Sequence, residues 1–540
     1  MVPASQAEGP RELPRWFADA VVLGGVLAVT IALFQSLDSP YALDCDDTNL
    51  ALSISRFDIV NFQPHPPGYL GYVLLLKAVH AITGAHPVLV TRLVSRLFAV
   101  LAILWTWRAA LRLSGDRGTA LFAAGMVGFH PILLYYGVDA QTHSAEMAMS
   151  ALLLLALAHV QSRPTLAKAA GIGLILAAGG SFRPSFALVS VGPVLWTYRR
   201  DLRGIGIIAL VGAAGTAAWF LPTLALTPGG LPTYRAASDG LVGNLVRMVS
   251  PLSRDAIPRF ARDNMVNAAA WTALALAPAL VALGLRARSW RILLDGWPVQ
   301  ALAAMAVPAG LFYGFVMCAE AGYLAGLVPQ SALVAAVVLA ASAKARPWQA
   351  RTRYLLVLAE LAFFLVSPSG QGVFTMMPTA SEIVTRETRI GALFAHLLEG
   401  LPREDRLLVV TDWPDPTALR QLPLLRPRSE ILQVPWRLRP DFQPVYSIAL
   451  ATDHDFTGLF LVPGQPREFL RHRRTSRSYD WIAIDPRTSD RVRDELRAHS
   501  RCAIPRYDEE RLSRFRPDCF PERRLRLGDF TFDFGVATEG

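Results

Sequence analysis

The sequence predicts a polytopic α-helical membrane protein with about 11 spans and a C-terminal extracytoplasmic α/β domain. Of its 540 residues, 52% are hydrophobic and 18% are charged, whereas soluble domains average about 25% charged residues. Long apolar segments fill the chain as far as about residue 367, and an arginine-rich remainder with short apolar segments follows. We therefore divide the chain into a membrane domain at 1–374 and a soluble domain at 375–540.

Twelve apolar segments are candidates for membrane spans, each of which needs about 20 apolar residues. They lie at roughly 17–37, 67–83, 91–111, 119–137, 144–161, 168–181, 185–197, 204–224, 266–285, 298–317, 323–342 and 353–367. The first follows two arginines without a convincing cleavage site, so we interpret it as a retained anchor. The segment at 67–83 follows Pro66 and contains Lys77 and His80, which favours an interfacial or re-entrant helix.

The distribution of basic residues decides how many segments cross the membrane, because cytoplasmic loops collect Arg and Lys. If 67–83 does not cross and the N-terminus is cytoplasmic, all five basic loops face the cytoplasm. Their basic residues are Arg108, Arg112, Arg117, Arg163, Lys168, Arg199, Arg200, Arg203, Arg286, Arg288, Arg291, Lys344, Arg346, Arg351 and Arg353. This topology has eleven spans, and it accounts for basic charge in a chain of net charge +10 without nucleic acid as a partner.

The same topology gathers polar residues on the extracytoplasmic side, in the first external loop at 38–90 and at the ends of later spans. These residues are Asp44, Asp46, Asp47, His65, Asp139, His143, Arg183, Glu320 and Tyr323. A charged side chain in lipid costs about 2.5 kcal/mol or more, so such residues usually face a protein interior or a water-filled cavity. Their convergence predicts a polar cavity on this side.

Three carboxylates, Asp44, Asp46 and Asp47, lie within four positions directly after the first span. At a spacing of about 5 Å and an effective dielectric of about 20, each pair repels by about 3 kcal/mol. Water, a cation, a basic substrate group or a raised pKa must relieve this repulsion. A raised pKa suits a general base, and a solvated acidic linker outside the membrane is the alternative.

Beyond about residue 375 the pattern changes to that of an α/β domain. Strands are predicted at 406–412, 430–434, 445–450, 458–462, 481–485 and near 525–534, with a helix at 491–499. The domain lacks the glycine-rich motifs of dinucleotide and P-loop sites. If it lies outside the cytoplasm, we expect a disulfide between Cys502 and Cys519. The four cysteines of the chain share no metal-ligand spacing.

Four motifs in the membrane half carry a resemblance to a known family. They are DCDDTNLAL at 44–52, FQPHPPGYLGYVLL at 62–75, GVDAQTHSAEMA at 137–148 and GYLAGLVP at 322–329. In order, spacing and sidedness the membrane half resembles the membrane-embedded GT-C glycosyltransferases, including protein O-mannosyltransferases (glycosyltransferase family 39) and the aminoarabinose transferases that modify lipid A. The C-terminal part resembles them only in the habit of carrying an external soluble domain there.

The resemblance implies an inverting transfer of a sugar from a polyprenyl-phosphate donor to a hydroxyl of a protein, lipid or glycan acceptor. The reaction would take place on the extracytoplasmic face of the cytoplasmic (inner) membrane, as part of cell-envelope synthesis. A first-loop aspartate would be the general base. Asp46 is our first choice because it belongs to both Asp44-x-Asp46 and Asp46-Asp47, with Asp44 second and Asp47 third. The family usually pairs Asp with Glu or with a spaced Asp, so the partner of the base stays open.

The leaving lipid phosphate needs positive charge or hydrogen-bond donors. Arg183 is the best candidate, because a guanidinium binds phosphate bidentately; an arginine that snorkels to the interface is the alternative. His65 lies between two prolines that fix an extended backbone. It is predicted to contact phosphate or acceptor, with a hydrogen-bonded turn residue as the alternative.

The remaining candidates are predicted to bind substrate. Asp139 and His143 are four residues apart, so both face the cavity if that turn is helical, or they form a structural pair. Glu320 and Tyr323 are expected to orient sugar hydroxyls or to mark the membrane interface. No residue is assigned to a metal. The acidic loop is compatible with Mg²⁺ or Mn²⁺ but does not require either ion.

Two other functions fit a membrane protein of this composition. A transporter or lipid flippase would often show inverted repeats and charges at mid-span, whereas here the ionisable residues fall at span ends and the halves do not repeat. A non-catalytic membrane anchor for the C-terminal domain would leave the external acids and Arg183 without a role.

Overall fold

The computed structural model describes residues 15–59, 63–162, 164–286, 296–318, 320–343, 347–370, 377–398, 401–402, 404–411, 417–426, 428–433, 449–450, 472–475, 478–484, 490–504, 513–527 and 530–534. Helices dominate the part before residue 398, and the paired strands of two small sheets follow from residue 407.

The helices of the membrane half vary from 6 to 28 residues in length. In chain order they are α1 (Arg15–Ser36), α2 (Cys45–Ser55), α3 (Leu70–Thr83), α4 (Pro87–Ser114), α5 (Arg117–Gly128), α6 (Pro131–Tyr136), α7 (His143–Ser162), α8 (Leu166–Phe182), α9 (Pro184–Tyr198), α10 (Leu202–Leu226), α11 (Gly230–Ser238), α12 (Asn244–Val249), α13 (Pro258–Gly284), α14 (Trp297–Phe315), α15 (Val328–Ala343), α16 (Pro347–Val366) and α17 (Ala380–Leu398). A 3₁₀ segment, Ala321–Leu327, leads directly into α15.

Seven helical segments in the described part are long and apolar enough to cross a membrane. They are Asp19–Ser36, Pro87–Ser114, His143–Gln161, Leu202–Leu226, Pro258–Gly284, Trp297–Phe315 and Ala321–Ala340. Each matches a predicted span. In His143–Gln161 and Ala321–Ala340 the buried share is 78% and 83%, whereas in Asp19–Ser36 and Leu202–Leu226 it is 11%. The former pair therefore lies at the centre of the helix bundle, and the latter pair at its periphery.

The other four predicted spans fold as helices that are shorter, interrupted or more polar, so the count of eleven exceeds the seven long spans found. The segment at 119–137 divides into α5 and α6 because Pro131 follows a break at which the His130 ring caps the second helix. Helix α8 has 17 residues and α9 has 15. At 1.5 Å per residue, 15 residues cover only about 22 Å of a core about 30 Å thick. The last segment, 353–367, lies within α16.

The segment at 67–83 forms α3, whose 14 residues are also short for a span. It begins after a turn in which Gly68 has φ +100° and Tyr69 has φ +43°. The Lys77 ammonium group donates to the Ile54 carbonyl at 2.7 Å, which joins α3 to the end of α2. The lysine that argued against a span therefore attaches this helix to α2 within the first external loop.

The acidic stretch of that loop begins a helix rather than forming a linker. Asp44 is the N-cap of α2, and its carboxylate accepts a hydrogen bond from the Asp46 amide at 3.0 Å. Asp46 and Asp47 lie in the first helical turn. Carboxylates at this end are favoured because the backbone N–H groups and the helix dipole present positive charge there. Part of the predicted repulsion is relieved in this way.

Helix α17 follows the last span and packs back onto the membrane half. Ile383, Ile390 and Phe394 are buried in the same apolar cluster as the central helices. The Phe394 ring stacks on Tyr41 with centroids 5.4 Å apart. This packing brings the polar residues of α17 to the start of α2.

The described strands after residue 406 form two sheets. Strands β1 (Leu407–Thr411), β2 (Ser429–Gln433), β3 (Ala449–Leu450), β4 (His472–Thr475), β5 (Trp481–Ile484), β6 (Ser513–Phe515), β7 (Arg524–Leu527) and β8 (Phe530–Phe534) are present. The first sheet has the order β3-β2-β1-β5-β6, with β1 parallel to both neighbours, and the second has the order β4-β8-β7.

Most of the sequence-based expectations for this part agree with the described residues. The predicted helix at 491–499 is Asp490–Ala498, and Cys502 and Cys519 form the expected disulfide. The single closing strand near 525–534 is wrong: it is an antiparallel hairpin of β7 and β8. The predicted strand at 458–462 and most of that at 445–450 lie outside the described residues.

Candidate active site

The N-terminus of α2 presents two carboxylates in different surroundings. The Asp44 carboxylate accepts from the Asp46 amide, and its Oδ2 lies 3.1 Å from Nη1 of Arg386 in α17. The Asp46 side chain is 32% exposed, whereas that of Asp44 is 13% exposed. Asp44 is thus engaged with protein groups, and Asp46 is the more accessible of the two.

His65 orients the Asp46 carboxylate. Its Nδ1 lies 3.2 Å from Asp46 Oδ1, and its Nε2 lies 2.9 Å from the Tyr69 hydroxyl. If the phenol donates to Nε2, then Nδ1 carries the ring proton and points it at Asp46. Burial, together with the charges of Arg183 and Arg420, lowers the pKa of His65 to about 3. The ring is therefore neutral near pH 7, and in this tautomer it donates a hydrogen bond to Asp46.

The pKa of Asp46 is raised well above the usual range of an aspartate. Burial is the main cause, and the negative charges of Asp44 and Glu320 add to it, while the charge of Arg183 opposes them. An aspartate of ordinary pKa is a weak base near neutral pH. The surroundings of Asp46 therefore shift its pKa towards neutral pH, where a general base works best.

Asp47 faces away from these groups and into the protein. Its Oδ1 accepts from the Thr91 hydroxyl at 2.9 Å, and its Oδ2 accepts from the Leu43 amide at 3.4 Å. Burial raises its pKa to about 7, although Arg92 and the Thr91 hydrogen bond oppose the shift. Asp47 ties the first external loop to α4, and its carboxylate does not share the His65 contact that Asp46 makes.

Replacing Asp47 with alanine is expected to destabilise the protein by about 1–3 kcal/mol, because the Leu43 amide and the Thr91 hydroxyl lose a buried acceptor. Any catalytic activity per folded molecule is expected to stay within a few-fold of wild type. Thermal unfolding in detergent, with activity normalised to folded protein, measures both effects. Thr91→Val is the matched control for the lost side-chain bond, and a large loss of activity without loss of stability would contradict this role.

Glu320 lies at the centre of a second hydrogen-bonded group. Its Oε1 lies 2.8 Å from His143 Nε2, and its Oε2 accepts from the Tyr136 hydroxyl at 2.9 Å and from the Gln141 amide at 3.4 Å. Burial would raise the pKa of Glu320, but the His143 contact, the charge of Arg183 and the Tyr136 bond together lower it to about 2. Glu320 is therefore ionised in a buried position.

Asp139 precedes α7 instead of lying in it, so the expected helical turn joining it to His143 is wrong. The residues from Gly137 to Thr142 form a turn between α6 and α7, and the Gln141 amide donates to Asp139 Oδ2 at 3.2 Å. Asp139 Oδ1 is buried without a hydrogen-bond partner. Burial and the nearby Asp44 charge raise the pKa of Asp139, and Arg386 opposes them.

Arg183 is a buried arginine at the junction of α8 and α9. Its Nε lies 2.8 Å from Glu146 Oε2, and its Nη1 donates to the Thr142 hydroxyl at 3.0 Å. The guanidinium lies over the Tyr323 ring, 4.8 Å from the centroid. With only 7% of the residue exposed, it is held by protein groups on several sides and does not snorkel to the surface.

The structure brings eight of the nine predicted site residues to one region on the predicted external side. Electrostatic effects of Arg183 and Glu320 reach both Asp46 and His65, and Tyr323 joins Arg183 to His143, with ring centroids 5.8 Å apart. Asp139 belongs to this region because the charge of Asp44 acts on its carboxyl group. Asp47 is the one predicted site residue outside the region. The region combines an accessible carboxylate, an ionised buried glutamate and a buried arginine.

One set of side chains in the described part could hold a metal ion. Ligand atoms of Asp44, Cys45 and Asp46 lie within 4.8 Å of one another. A thiolate is a soft ligand and does not suit Mg²⁺ or Mn²⁺, and Asp44 is already paired with Arg386. Binding of Mg²⁺ or Mn²⁺ by the acidic loop therefore stays a prediction, and these three ligands are not a good match for either ion.

No protein-family model matches the sequence, and no curated protein matches it. Among solved structures, ArnT from Cupriavidus metallidurans bound to undecaprenyl phosphate superposes with a TM-score of 0.51 at 15% identity, over 74% of this chain and 85% of that chain. The chain has the GT-C fold. The helical membrane part of the expected fold class is thereby confirmed, and the chain is a multi-pass membrane protein.

Two further solved structures with this fold align at lower scores. ArnT from Cupriavidus metallidurans in the apo state has a TM-score of 0.48 at 14% identity, over 75% of this chain and 85% of that chain. The apo oligosaccharyltransferase of Archaeoglobus fulgidus has a TM-score of 0.47 at 14% identity, over 78% of this chain and 66% of that chain.

Sequence reasoning missed four residues that this GT-C fold brings to the site: Tyr69, Tyr136, Glu146 and Arg386. Two of them could have been recognised from the sequence. Glu146 is an acid inside an apolar segment, three residues after His143, and Tyr69 follows His65 by four residues. Arg386 had none, because only the packing of α17 brings it to α2.

Proposed function

We propose that the chain is an inverting glycosyltransferase that moves a sugar from a polyprenyl-phosphate donor to an acceptor hydroxyl on the extracytoplasmic face of the cytoplasmic membrane. The observation that carries this proposal is the Asp46 carboxylate: it is accessible, its pKa is raised, and neutral His65 orients it. Such a group is suited to take a proton from an attacking hydroxyl. The Cys502–Cys519 disulfide supports an oxidising, extracytoplasmic compartment for the C-terminal part.

In the proposed reaction, Asp46 accepts the proton of the acceptor hydroxyl as its oxygen bonds to the anomeric carbon. The bond from that carbon to the phosphate oxygen breaks, and polyprenyl phosphate leaves with the bonding electrons. Attack opposite the leaving group inverts the anomeric configuration. The negative charges of Asp44 and Glu320 near Asp46 also favour the positive charge that develops on the sugar ring.

Arg183 is the proposed partner of the leaving phosphate. It is the cation whose field reaches Asp46, His65 and Glu320 together. Its existing contacts to Glu146 and to the face of Tyr323 fix the guanidinium before substrate arrives. A fixed charge that need not reorganise stabilises developing negative charge most effectively.

An apolar groove between α13 and α14 supports binding of the lipid tail. It has a volume of about 400 Å³, and it is lined by Met265, Ala268, Ala269, Thr272, Ala273, Leu276, Leu280, Gly310 and Gly314. Gly314 follows Tyr313, whose ring lies 5.3 Å from that of Tyr323. A tail in this groove would therefore end near the Tyr323 ring, over which the Arg183 guanidinium lies. The donor would arrive laterally from the bilayer.

Filling this groove is expected to weaken donor use without altering the chemistry. A Cβ at Gly310 meets no atom within 4 Å, so Gly310→Trp places an indole in the groove and should raise KM for the donor about 10-fold, with kcat little changed. Gly206→Trp on α10, where a Cβ also meets open space, is the control. Equal KM values for both variants would place the lipid elsewhere.

Purified protein in sealed proteoliposomes tests the proposed function against the two alternatives. A panel of polyprenyl-phosphate sugars is incubated with candidate acceptors, and release of free polyprenyl phosphate is measured by mass spectrometry. Release coupled to a glycosylated acceptor of inverted configuration supports the proposal. Movement of intact donor across the bilayer would favour a transporter or flippase, and absence of donor binding would favour an anchor.

A further inference from the structure

Arg386 reaches the acidic end of α2 from beyond the last membrane span. Its Nη1 lies 3.1 Å from Asp44 Oδ2 and 3.3 Å from the Leu43 carbonyl, and its Nε lies 2.9 Å from Glu382 Oε1. The side chains of Arg386 and Asp44 are 15% and 13% exposed. This is a largely buried ion pair, unlike the exposed pairs that contribute little.

The position of Arg386 is fixed by the helix that carries it. Ile383 and Ile390 lie one turn to either side, and both are buried in the apolar core of the membrane half. Glu382, one turn earlier on the same helix, holds the other edge of the guanidinium. The arginine is therefore presented to Asp44 by packing that does not involve a substrate.

The pair makes the two site carboxylates unequal. Asp44 accepts from the Asp46 amide and from Arg386, whereas Asp46 has a neutral histidine as its close partner and is about one-third exposed. When two nearby carboxylates compete for one proton, the one with the closer cation stays ionised. An unpaired Asp44 would compete with Asp46 for the proton of the acceptor.

We propose that Arg386 is a positioning residue of this active site: it keeps Asp44 ionised and fixed as the cap of α2, so that the acceptor proton goes to Asp46. This inference rests on the proposed function. Several titratable and charged groups act on the two carboxylates. They are Arg386 from α17, Arg183 from the α8–α9 junction, His65 from the turn before α3, Glu320 from before the 3₁₀ segment, Asp139 from the turn between α6 and α7, and Cys45 and Asp47 from α2 itself.

The pH dependence of transfer tests the proposal. A base must be deprotonated, so kcat/KM rises with pH through its pKa. In the proposed active form both carboxylates are ionised. Loss of the Arg386 charge favours protonation of Asp44, so Arg386→Gln should lose this form at higher pH and move the acidic limb of kcat/KM upward by about one pH unit, a loss of about tenfold on its slope. Arg386→Lys should keep the limb near wild type. Arg389→Gln, an exposed arginine on the same helix, should leave the profile unchanged.

Asp44→Asn provides a test that does not depend on the stability of the arginine variant. Asparagine also caps helices well, and removing the Asp44 charge should move the acidic limb to lower pH, opposite to Arg386→Gln. A uniform loss of activity in Arg386→Gln with an unmoved limb would overturn the inference, as would full activity. Absence of transfer by the wild type at every pH would instead overturn the proposed function, and the inference with it.

Discussion

Asp46→Asn is expected to lower sugar transfer by about 10²–10⁴-fold, the usual contribution of a general base. Asparagine preserves the size of the side chain and can accept a hydrogen bond from His65 Nδ1, which lies 3.2 Å from the carboxylate. It cannot accept the acceptor proton. Because binding groups elsewhere are untouched, the loss should appear in kcat with little change in KM for the donor.

Two comparisons separate this loss from a general effect of removing an acid. Asp255→Asn, at an exposed aspartate between α12 and α13, should transfer at the wild-type rate. Wild-type transfer should also fall as the pH decreases through the raised pKa of Asp46, since only the ionised carboxylate accepts a proton. Asp46→Asn with more than half of wild-type activity would remove Asp46 from the mechanism.

The fold was predictable because membrane spans are a local property of sequence. The length of the apolar segments and the charge of the loops identified the seven long spans. Prolines and a lysine distinguished the segment at 67–83 from them. Local reasoning was weaker where polar turns interrupt a span. The break at His130 precedes Pro131, and α8 ends at its cap Arg183, just before Pro184, so prolines that hydropathy does not report shorten these helices.

The ranking of the three aspartates was partly accessible from sequence. Successive helical residues point about 100° apart, so adjacent acids in a first turn cannot face the same way. Asp44 before an apolar stretch is also a recognisable N-cap. Treating the stretch as a loop hid this geometry, which places Asp46 beside His65 and Asp47 against α4.

The partners of the site residues were not accessible, because pairing depends on which helices meet. His143 was expected beside Asp139 and instead pairs with Glu320, which is 177 residues away in the chain. Arg386 pairs with Asp44 across 342 residues. Residue types and the predicted side of the membrane therefore indicated which residues belong to the site. They did not indicate which of these residues contact one another.

Arg183→Gln is expected to reduce transfer by about 10²–10³-fold, because the leaving phosphate loses its proposed cation. It should also destabilise the protein by about 3–5 kcal/mol, since Glu146 is left as a buried charge without its partner. The single variant therefore does not separate an effect on catalysis from an effect on folding. A second substitution in the ion pair, in which Arg183 Nε lies 2.8 Å from Glu146 Oε2, separates them.

The double variant Arg183→Gln with Glu146→Gln removes both charges of the pair and keeps the side-chain volumes. It should recover most of the stability, measured as the thermal midpoint in detergent, because no buried charge is left alone. Transfer should stay about 10²–10³-fold below wild type, since neutral glutamine cannot balance a phosphate. If transfer returned together with stability, Arg183 would be a structural arginine, and the phosphate would require another partner.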